Sequence, residues 1–283
     1  MDTNEIKPID SEVLNYYNLG KERNRLRTDL GRIEFARTCE ILLENLPSAP
    51  AVVYDIGGAY GEYAWWLTDK GYEVHLFDLS EKNIEMSAEL AEEYPNIKLK
   101  SAEVADARSI NRADSSADAI LLFGPLYHIT DYAERQAALK ECFRLLKKDG
   151  VLFCATITRY ATTLWATTVY GLENDLLGDK DFVEMITREI ADGQHIKKPN
   201  TAYTGLGHSF FYLPKELKNE IEAAGFREAD IRGVIGPCWL VPNLDEQWKD
   251  PARRENILHI VRLLEREESI LGLSTHLVSV AWK

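Results

Sequence analysis

The sequence predicts an α/β fold in which amphipathic helices cover both faces of a mostly parallel β-sheet. Two observations support this prediction. Short apolar runs of strand length alternate with longer segments of helical periodicity along the chain, and this alternation is typical of doubly wound parallel sheets. The first apolar run also ends in a glycine turn that leads directly into a helix, as in folds that bind ligands at this turn.

The chain before the first predicted strand has the periodicity of two helices. Residues 13–26 form one segment, and residues 31–46 form the other, with Phe35, Cys39 and Leu42 at helical spacing. Such spacing places apolar side chains on one face of a helix. We therefore expect an N-terminal helical lead-in over residues 1–48, which covers the ligand site of the sheet.

The sheet is predicted from residues 49–157 and 213–283. Its strands are expected at residues 51–58, 73–80, 96–104, 117–124, 150–158, 226–236 and 275–283. Its helices are expected at residues 61–71, 81–94, 131–150, 213–225 and 252–268. In each helix the apolar residues recur every three or four positions.

Residues 158–212 have no place in this alternation. A structureless loop of that length is improbable inside a compact domain, and helical patches occur at residues 161–172 and 180–193. We therefore expect an inserted helical cap over the ligand crevice. The cap would hold Trp165, Tyr170, Tyr203 and His208.

Composition restricts the classes of partner. The 33 basic and 46 acidic side chains give a net charge of −13, which repels nucleic acid and anionic membrane surfaces. The four cysteines are far apart and lack a metal-ligand spacing, so we expect reduced thiols, no metal site and a cytoplasmic location. The favoured partner is a small molecule, and the protein is expected to be a monomer or a homodimer.

Two neighbouring strand ends carry the strongest functional pattern. The first strand ends in Asp55 and a turn in which Gly57 and Gly61 would allow a ligand to approach the backbone. The second strand ends in Asp78, which follows Asp55 by 78 − 55 = 23 residues, close to the ~20 expected for a carboxylate that receives ribose hydroxyls. An adenine ring would then lie against Leu79. The alternative is that Asp78 only caps the helix that follows.

The ordered segments VVYDIGGAYGEYAWWL, HLFDLS, AEVADARSI, ADAILLFGPLYHI and FRLLKKDGVLFCATI resemble the motifs of class I S-adenosylmethionine-dependent methyltransferases, which have a Rossmann-like fold. The resemblance implies a seven-stranded sheet whose last strand is antiparallel, and S-adenosylmethionine as the cofactor. The chain departs from the family pattern at Ala59, where the turn usually has a glycine.

The resemblance also implies roles for individual residues. Gly57 and Gly61 would lie near the methionine part of the cofactor, Asp78 would bind the ribose, and Asp106 with Ala107 would lie beside the adenine. Segment 16–26 resembles a helical lead-in whose aromatic residues and arginine cover the cofactor, and Tyr16, Tyr17 and Arg25 are the matching positions. The full predicted cofactor set is Tyr17, Arg25, Asp55, Gly57, Gly58, Gly61, Asp78, Leu79, Asp106, Ala107 and Phe123.

Candidates for the acceptor side follow the fourth strand. Tyr127 and His128 lie beyond its carboxyl end, where ligands bind in parallel sheets, and histidine is suited to general-base catalysis. Alternatively, the His128 ring bonds to backbone at a helix start, and Tyr127 only packs. Four further residues are expected to form an aromatic substrate pocket: Trp165, Tyr203, His208 and Trp239.

The predicted function is methyl transfer from S-adenosylmethionine to an oxygen or nitrogen atom of a small molecule. The first rival is an NAD-dependent oxidoreductase, although the turn lacks the GxGxxG spacing of that class. The second rival is a catalytically silent module of the same fold, which binds the cofactor without transferring its methyl group. Nucleic-acid methylation is disfavoured by the negative charge of the chain.

Overall fold

The computed structural model describes residues 23–168, 175–199, 201–203 and 205–283 of the chain. Three aromatic residues from the sequence predictions, Tyr16, Tyr17 and Tyr170, lie outside these ranges. No helix within the ranges combines the length and the apolar character that crossing a bilayer would need.

A seven-stranded sheet forms the centre of the fold, in the order β3-β2-β1-β4-β5-β9-β8. Strand β9 is antiparallel to both of its neighbours, β5 and β8, while β1 to β5 are parallel. The predicted α/β fold with an antiparallel last strand is therefore confirmed. The strands are β1 (Val52–Ile56), β2 (Glu73–Asp78), β3 (Ser101–Val104), β4 (Ala117–Phe123), β5 (Leu146–Ile157), β8 (Arg227–Gly233) and β9 (His276–Trp282).

The helices on the two faces have these bounds: α1 (Asp29–Asn45), α2 (Glu62–Asp69), α3 (Glu81–Leu90), α4 (Pro125–His128), α5 (Tyr132–Leu145), α8 (Pro214–Ala223), α9 (Leu244–Lys249) and α10 (Pro251–Leu264). Side-chain caps fix several of their starts, since Asp131 accepts hydrogen bonds from the first turn of α5 and Asp250 from that of α10. Helix α5 ends at Leu145, earlier than predicted, because Leu146 already pairs with Ala117 of β4.

The inserted segment folds as helices α6 (Ala161–Ala166) and α7 (Lys180–Asp192) and a short hairpin of β6 (Gln194–His195) with β7 (Ser209–Phe210). A small apolar cluster joins them, with Phe182 and Met185 of α7 buried against Ala166 and Leu176. Trp165 and Tyr203 pack against this cluster. Their aromatic rings therefore contribute to the packing of the insertion itself.

The main core occupies both faces of the sheet. One cluster includes Leu122, Leu139 and Leu152 together with helices α5 and α8, and the other includes Leu42, Leu67 and Val280 together with α1, α2 and α3. Because both faces are covered, the carboxyl ends of the parallel strands remain as the open edge of the sheet where a ligand can bind. Strand β9 begins at this edge because it runs in the opposite direction.

Candidate active site at the carboxyl edge of the sheet

A cleft of about 990 Å³, counting the space open to solvent, lies over the ends of β1, β2 and β4. We call it the main cleft. Nine predicted site residues line it: Arg25, Gly57, Gly58, Asp78, Leu79, Ala107, Phe123, Tyr127 and His128. The structure thus brings together residues from the lead-in, the glycine turn and three strand ends.

The glycine turn has the backbone conformation that its sequence predicts. Gly57 and Gly61 have φ values of +73° and +90°, in the left-handed region that favours glycine. A Cβ atom at Gly57 would lie 2.5 Å from the ring of Pro125, so β1 and the start of α4 can approach only because Gly57 has no side chain. Gly61 caps α2, behind the residues that line the cleft.

Asp55 is fully buried beneath this turn. Neither of its carboxyl oxygens has a hydrogen-bond partner of normal geometry within the described residues. Burial, followed by the charge of Asp78, raises the pKa of Asp55 to about 7. Asp55 is absent from the lining of the main cleft, and its carboxyl group is packed behind the backbone of Gly58, which does line the cleft.

Asp78 is held rigidly at the wall of the cleft. Its Oδ2 accepts a hydrogen bond from the Ala59 backbone N–H at 2.9 Å, and its Oδ1 accepts from the Ser80 N–H at 2.8 Å and from Asn83 Nδ2 at 2.9 Å. The carboxylate therefore ties the glycine turn to the start of α3. Asp78 thus holds the start of α3, as the capping alternative predicted, and its side chain also lines the main cleft.

The residues that were predicted to lie beside the adenine fall into two groups. Leu79 and Ala107 line the cleft. The Asp106 carboxylate instead binds Arg108 through Oδ1 at 2.9 Å from Nε, and this pairing outweighs burial and lowers the pKa of Asp106. Asp106 is absent from the lining of the main cleft, since its carboxylate is directed to the guanidinium of Arg108.

Tyr127 and His128 belong to the short helix α4, and both line the main cleft. Their rings lie 4.4 Å apart. Burial lowers the pKa of His128 to about 3, so its imidazole is neutral at ordinary pH. A neutral ring can accept a hydrogen bond from an acceptor molecule, but it is a weak base.

A second, smaller cavity of about 380 Å³, again counting the space open to solvent, lies next to the main cleft. We call it the side chamber. It shares five lining residues with the main cleft, Arg25, Tyr63, Phe123, Gly124 and Tyr127. Its other walls are Glu34, Thr38, Ala155, Val234, His276 and Val278.

The lead-in segment is attached to the rim of the main cleft by ion pairs. Arg25 makes a bidentate contact with Glu34, with distances of 2.7 and 3.1 Å, and Arg27 makes another with Glu62, with distances of 2.6 and 3.2 Å. Bidentate arginine–carboxylate pairs fix orientation as well as distance. Arg25 therefore lies at the cleft, as predicted, and its guanidinium is engaged by Glu34.

The four predicted substrate residues are absent from the lining of both cavities. Trp165 and Tyr203 pack within the insertion, and His208 lies 3.3 Å from Gln194 Oε1. The Trp239 side chain is buried in the main core and donates from Nε1 to the Leu273 carbonyl at 2.7 Å. Each of these side chains thus has packing or hydrogen-bonding partners away from the cleft.

Two polar groups of the side chamber, Glu34 and His276, were not predicted from the sequence. Glu34 lies within the second helix of the predicted lead-in, and His276 is the first residue of the closing strand. The antiparallel direction of β9 was the one signal for His276, because it places the start of that strand at the ligand edge. No comparable signal marked Glu34. The described residues also contain no group of three His, Cys, Asp or Glu side chains that could hold a metal ion.

The comparisons with known proteins agree with this architecture. Residues 30–229 match the family model described as a methyltransferase domain. A comparison with curated proteins finds no match.

Solved structures of S-adenosylmethionine-dependent methyltransferases are similar to the chain in fold. One from Methanosarcina mazei has a TM-score of 0.55 and 21% identity, covering 86% of this chain and 96% of its own. One from Thermotoga maritima, described as a possible histamine N-methyltransferase, has a TM-score of 0.54 and 17% identity, covering 96% and 98%. One from Mesorhizobium loti has a TM-score of 0.54 and 15% identity, covering 89% and 100%.

Proposed function

The chain belongs to the methyltransferase domain family, and we propose that it transfers a methyl group to an oxygen or nitrogen atom of a small molecule. Its cofactor is S-adenosylmethionine. When bound, this cofactor supplies an electrophilic methyl group on a sulfonium. The protein must therefore bind the cofactor, align an acceptor with the methyl group and exclude water.

The residues of the main cleft suit this cofactor. The backbone turn at Gly57 and Gly58 would receive its methionine part, the Asp78 carboxylate would accept hydrogen bonds from its ribose, and Leu79 with Ala107 would flank its adenine. Asp78 supports a polar ligand beside the turn, because its carboxylate lines the cleft and is held in place by the Ala59 and Ser80 N–H groups and by Asn83. Arg25 at the rim would face its carboxylate end.

The acceptor side of the proposal depends on α4. Tyr127 and His128 line the same cleft as the glycine turn. We assign to the neutral His128 ring the task of accepting a hydrogen bond from the end of the acceptor that reaches into the main cleft, which orients the lone pair of the reacting atom. Tyr127 would pack against the acceptor.

A small acceptor is supported by the charge of the chain. The net charge of −13 opposes the binding of polyanions. The four cysteines are free and buried, which supports the further proposal of a reducing, cytoplasmic location.

The observation that carries the proposal is the presence of Asp78, the glycine turn and His128 on one cleft. Calorimetric titration tests it, and we expect S-adenosylhomocysteine to bind at micromolar concentrations while NAD does not bind. Preferential binding of NAD would instead favour the oxidoreductase. Tight cofactor binding without methyl transfer to any component of a metabolite extract would favour the catalytically silent module.

A further inference from the structure

We propose that the side chamber binds the methyl acceptor, and that the acceptor is a small amine that enters as an ammonium ion. The inference rests on the methyl transfer proposed above and adds to it a substrate class and a proton acceptor.

The side chamber lies next to the main cleft, at the segment that follows β4. Phe123, Gly124 and Tyr127 line both cavities, as do Arg25 and Tyr63. A molecule in the chamber would therefore lie beside the residues that also line the main cleft.

The walls of the chamber combine aromatic and aliphatic side chains. Tyr63 and Phe123 meet edge to face, with ring centroids 5.1 Å apart, and Tyr127 also lines the chamber. Ala155 pairs in register with Phe123 of β4 and with Val278 of β9, so aliphatic side chains lie beside the aromatic ones. Aromatic faces attract cations because of the ring quadrupole, and the aliphatic side chains suit an apolar body.

The charged groups of the chamber favour a cation over an anion. Glu34 is buried, and Arg25 holds its carboxylate through two hydrogen bonds of 2.7 and 3.1 Å. An anionic acceptor would have to displace Glu34 from Arg25 or lie beside its negative charge. An ammonium ion can instead join Arg25 around the carboxylate, whose oxygens accept several hydrogen bonds.

The ionised state of Glu34 is itself stabilised. Burial alone would raise its pKa, but the charge of Arg25, the charge of His276 when its ring is protonated, and the hydrogen bonds from Arg25 together hold the pKa of Glu34 below its ordinary value. The chamber therefore keeps a carboxylate where an ammonium ion would enter. The charged and titratable side chains around His276 in the chamber are Glu34 of α1, Arg25 of the lead-in, Tyr63 of α2 and Tyr127 of α4.

His276 provides a destination for the proton. Its Nδ1 lies 3.8 Å from Glu34 Oε2, and its ring lines the chamber. An ammonium ion must lose a proton before its nitrogen can react. The nitrogen lone pair then forms the N–CH₃ bond while the S–CH₃ bond breaks, and the electron pair of that bond stays on sulfur. The methylated nitrogen gives up a second proton, and His276 accepts each proton in turn and releases it to solvent.

The test uses the full chain and three probes of one shape and different charge: benzylamine, benzyl alcohol and benzoate. S-adenosylhomocysteine is titrated first, and the probes are then titrated into protein saturated with it. We expect benzylamine to bind at least tenfold more tightly than benzoate, with benzyl alcohol between them. If S-adenosylhomocysteine fails to bind, the proposed function is wrong. If it binds but benzoate equals benzylamine, or benzylamine does not bind, only the amine assignment is wrong.

Two variants change the charge of the chamber in opposite directions. Glu34→Gln removes the carboxylate, so the preference for benzylamine over benzoate should fall at least tenfold. Arg25→Gln removes the competing cation, so the preference should rise. Equal shifts in the same direction would indicate a general loss of structure and would overturn the assignment of Glu34 as the ammonium partner.

A third variant fills the chamber. Ala155 lines the chamber. Ala155→Leu should lower the affinity for benzylamine at least tenfold, while S-adenosylhomocysteine still binds. Ala133→Leu on the exposed side of α5 is the matched control and should change benzylamine binding less than twofold. Benzylamine binding that survives Ala155→Leu would place the amine elsewhere and overturn the proposal.

The role of His276 has a readout that needs no acceptor. The chain has six histidines, and the imidazole C–H signal of His276 is identified by its loss in His276→Gln. We expect Glu34→Gln to lower the pKa of His276 and Arg25→Gln to raise it, because the two variants remove charges of opposite sign next to the ring. A His276 pKa that neither variant moves would exclude it as the proton acceptor coupled to Glu34.

Discussion

The carboxyl group of Asp55 lies directly beneath Gly58, so that a Cβ atom at Gly58 would come within 2.5 Å of the carboxyl carbon and of Oδ2. The closeness explains why glycine is required at this position even though its φ is not in the left-handed region. It also links the acid that ends β1 to the backbone that faces the main cleft.

Gly58→Ala should abolish cofactor binding, because the added methyl group cannot fit without moving Asp55 or the turn. We expect the affinity for S-adenosylhomocysteine, measured by calorimetry, to fall at least a hundredfold. Ala59→Gly is the matched control in the same turn. Ala59 has a φ of +51°, so glycine should relieve strain and stabilise the fold by ~0.5–1 kcal/mol. An unchanged affinity in Gly58→Ala would contradict the close packing described above.

The pKa of Asp55, raised to about 7 by burial and by Asp78, predicts a specific pH dependence of stability. Between about pH 4 and pH 7 the folded state keeps a proton that the unfolded state has lost. The contribution of Asp55 to the free energy of unfolding is therefore full below pH 4 and falls as the pH rises to 7, by on the order of 4 kcal/mol at most.

Asp55→Asn should remove this contribution, since the amide does not titrate. Denaturant unfolding of both proteins from pH 4 to pH 8, in the absence of cofactor, measures the difference between them. We expect the wild type to lose stability relative to the variant as the pH rises. A difference that stays constant over this range would show that Asp55 has an ordinary pKa.

Asp78→Asn should lower the affinity for S-adenosylhomocysteine about tenfold or more, because hydrogen bonds to a charged acceptor contribute ~1.5–3 kcal/mol. Asp106→Asn serves as the comparison. The Asp106 carboxylate is bound by Arg108 and is absent from the lining of the cleft. The affinity of the Asp106→Asn variant for S-adenosylhomocysteine should therefore change less than threefold. Equal losses in the two variants would support the sequence prediction that Asp106 contacts the adenine.

His128→Asn should lower methyl transfer at least tenfold while the affinity for S-adenosylhomocysteine stays within twofold of the wild type. The reason is that His128 is assigned to the acceptor and not to the cofactor. Transfer is measured with labelled S-adenosylmethionine and a metabolite extract that supports turnover. Because the pKa of His128 is lowered to about 3, its ionisation should add no step to the pH profile between pH 5 and 9. Unchanged turnover would exclude His128 from the reaction.

The insertion contains a buried hydrogen-bonded contact between a histidine and a glutamate. His195 Nδ1 lies 2.8 Å from Glu189 Oε2, and both side chains are fully buried. Glu189→Ala and His195→Ala should each cost ~3–5 kcal/mol in the free energy of unfolding, because each leaves a buried polar partner unsatisfied. The double variant should cost less than the sum of the two.

The exposed pair between Lys198 and Glu184 is the matched control for this prediction, since it involves the same helix. Glu184→Ala should cost less than ~1 kcal/mol, as solvent screens the charges. Urea unfolding measures all four variants. A cost for Glu189→Ala as small as that for Glu184→Ala would show that the buried pair does not stabilise the insertion.

The sequence by itself determined the α/β class, the order of most strands and helices, and the positions of Asp55, Gly57 and Asp78. These features are local, because periodicity and turn residues act over a few positions along the chain. The sequence overextended β3 and α5 and left α9 undetected, since pairing partners and packing decide where such elements begin and end.

Only the tertiary structure decided which side chains face the two cavities. In the folded chain Glu34 of α1 lies next to His276 of β9, although the two residues are at opposite ends of the sequence. Trp239 is buried in the core, and the Asp106 carboxylate binds Arg108. The direction of a side chain depends on the packing of elements that are distant in sequence, and no local pattern encodes that packing. The main cleft could therefore be predicted from its turn, whereas the side chamber required the folded chain.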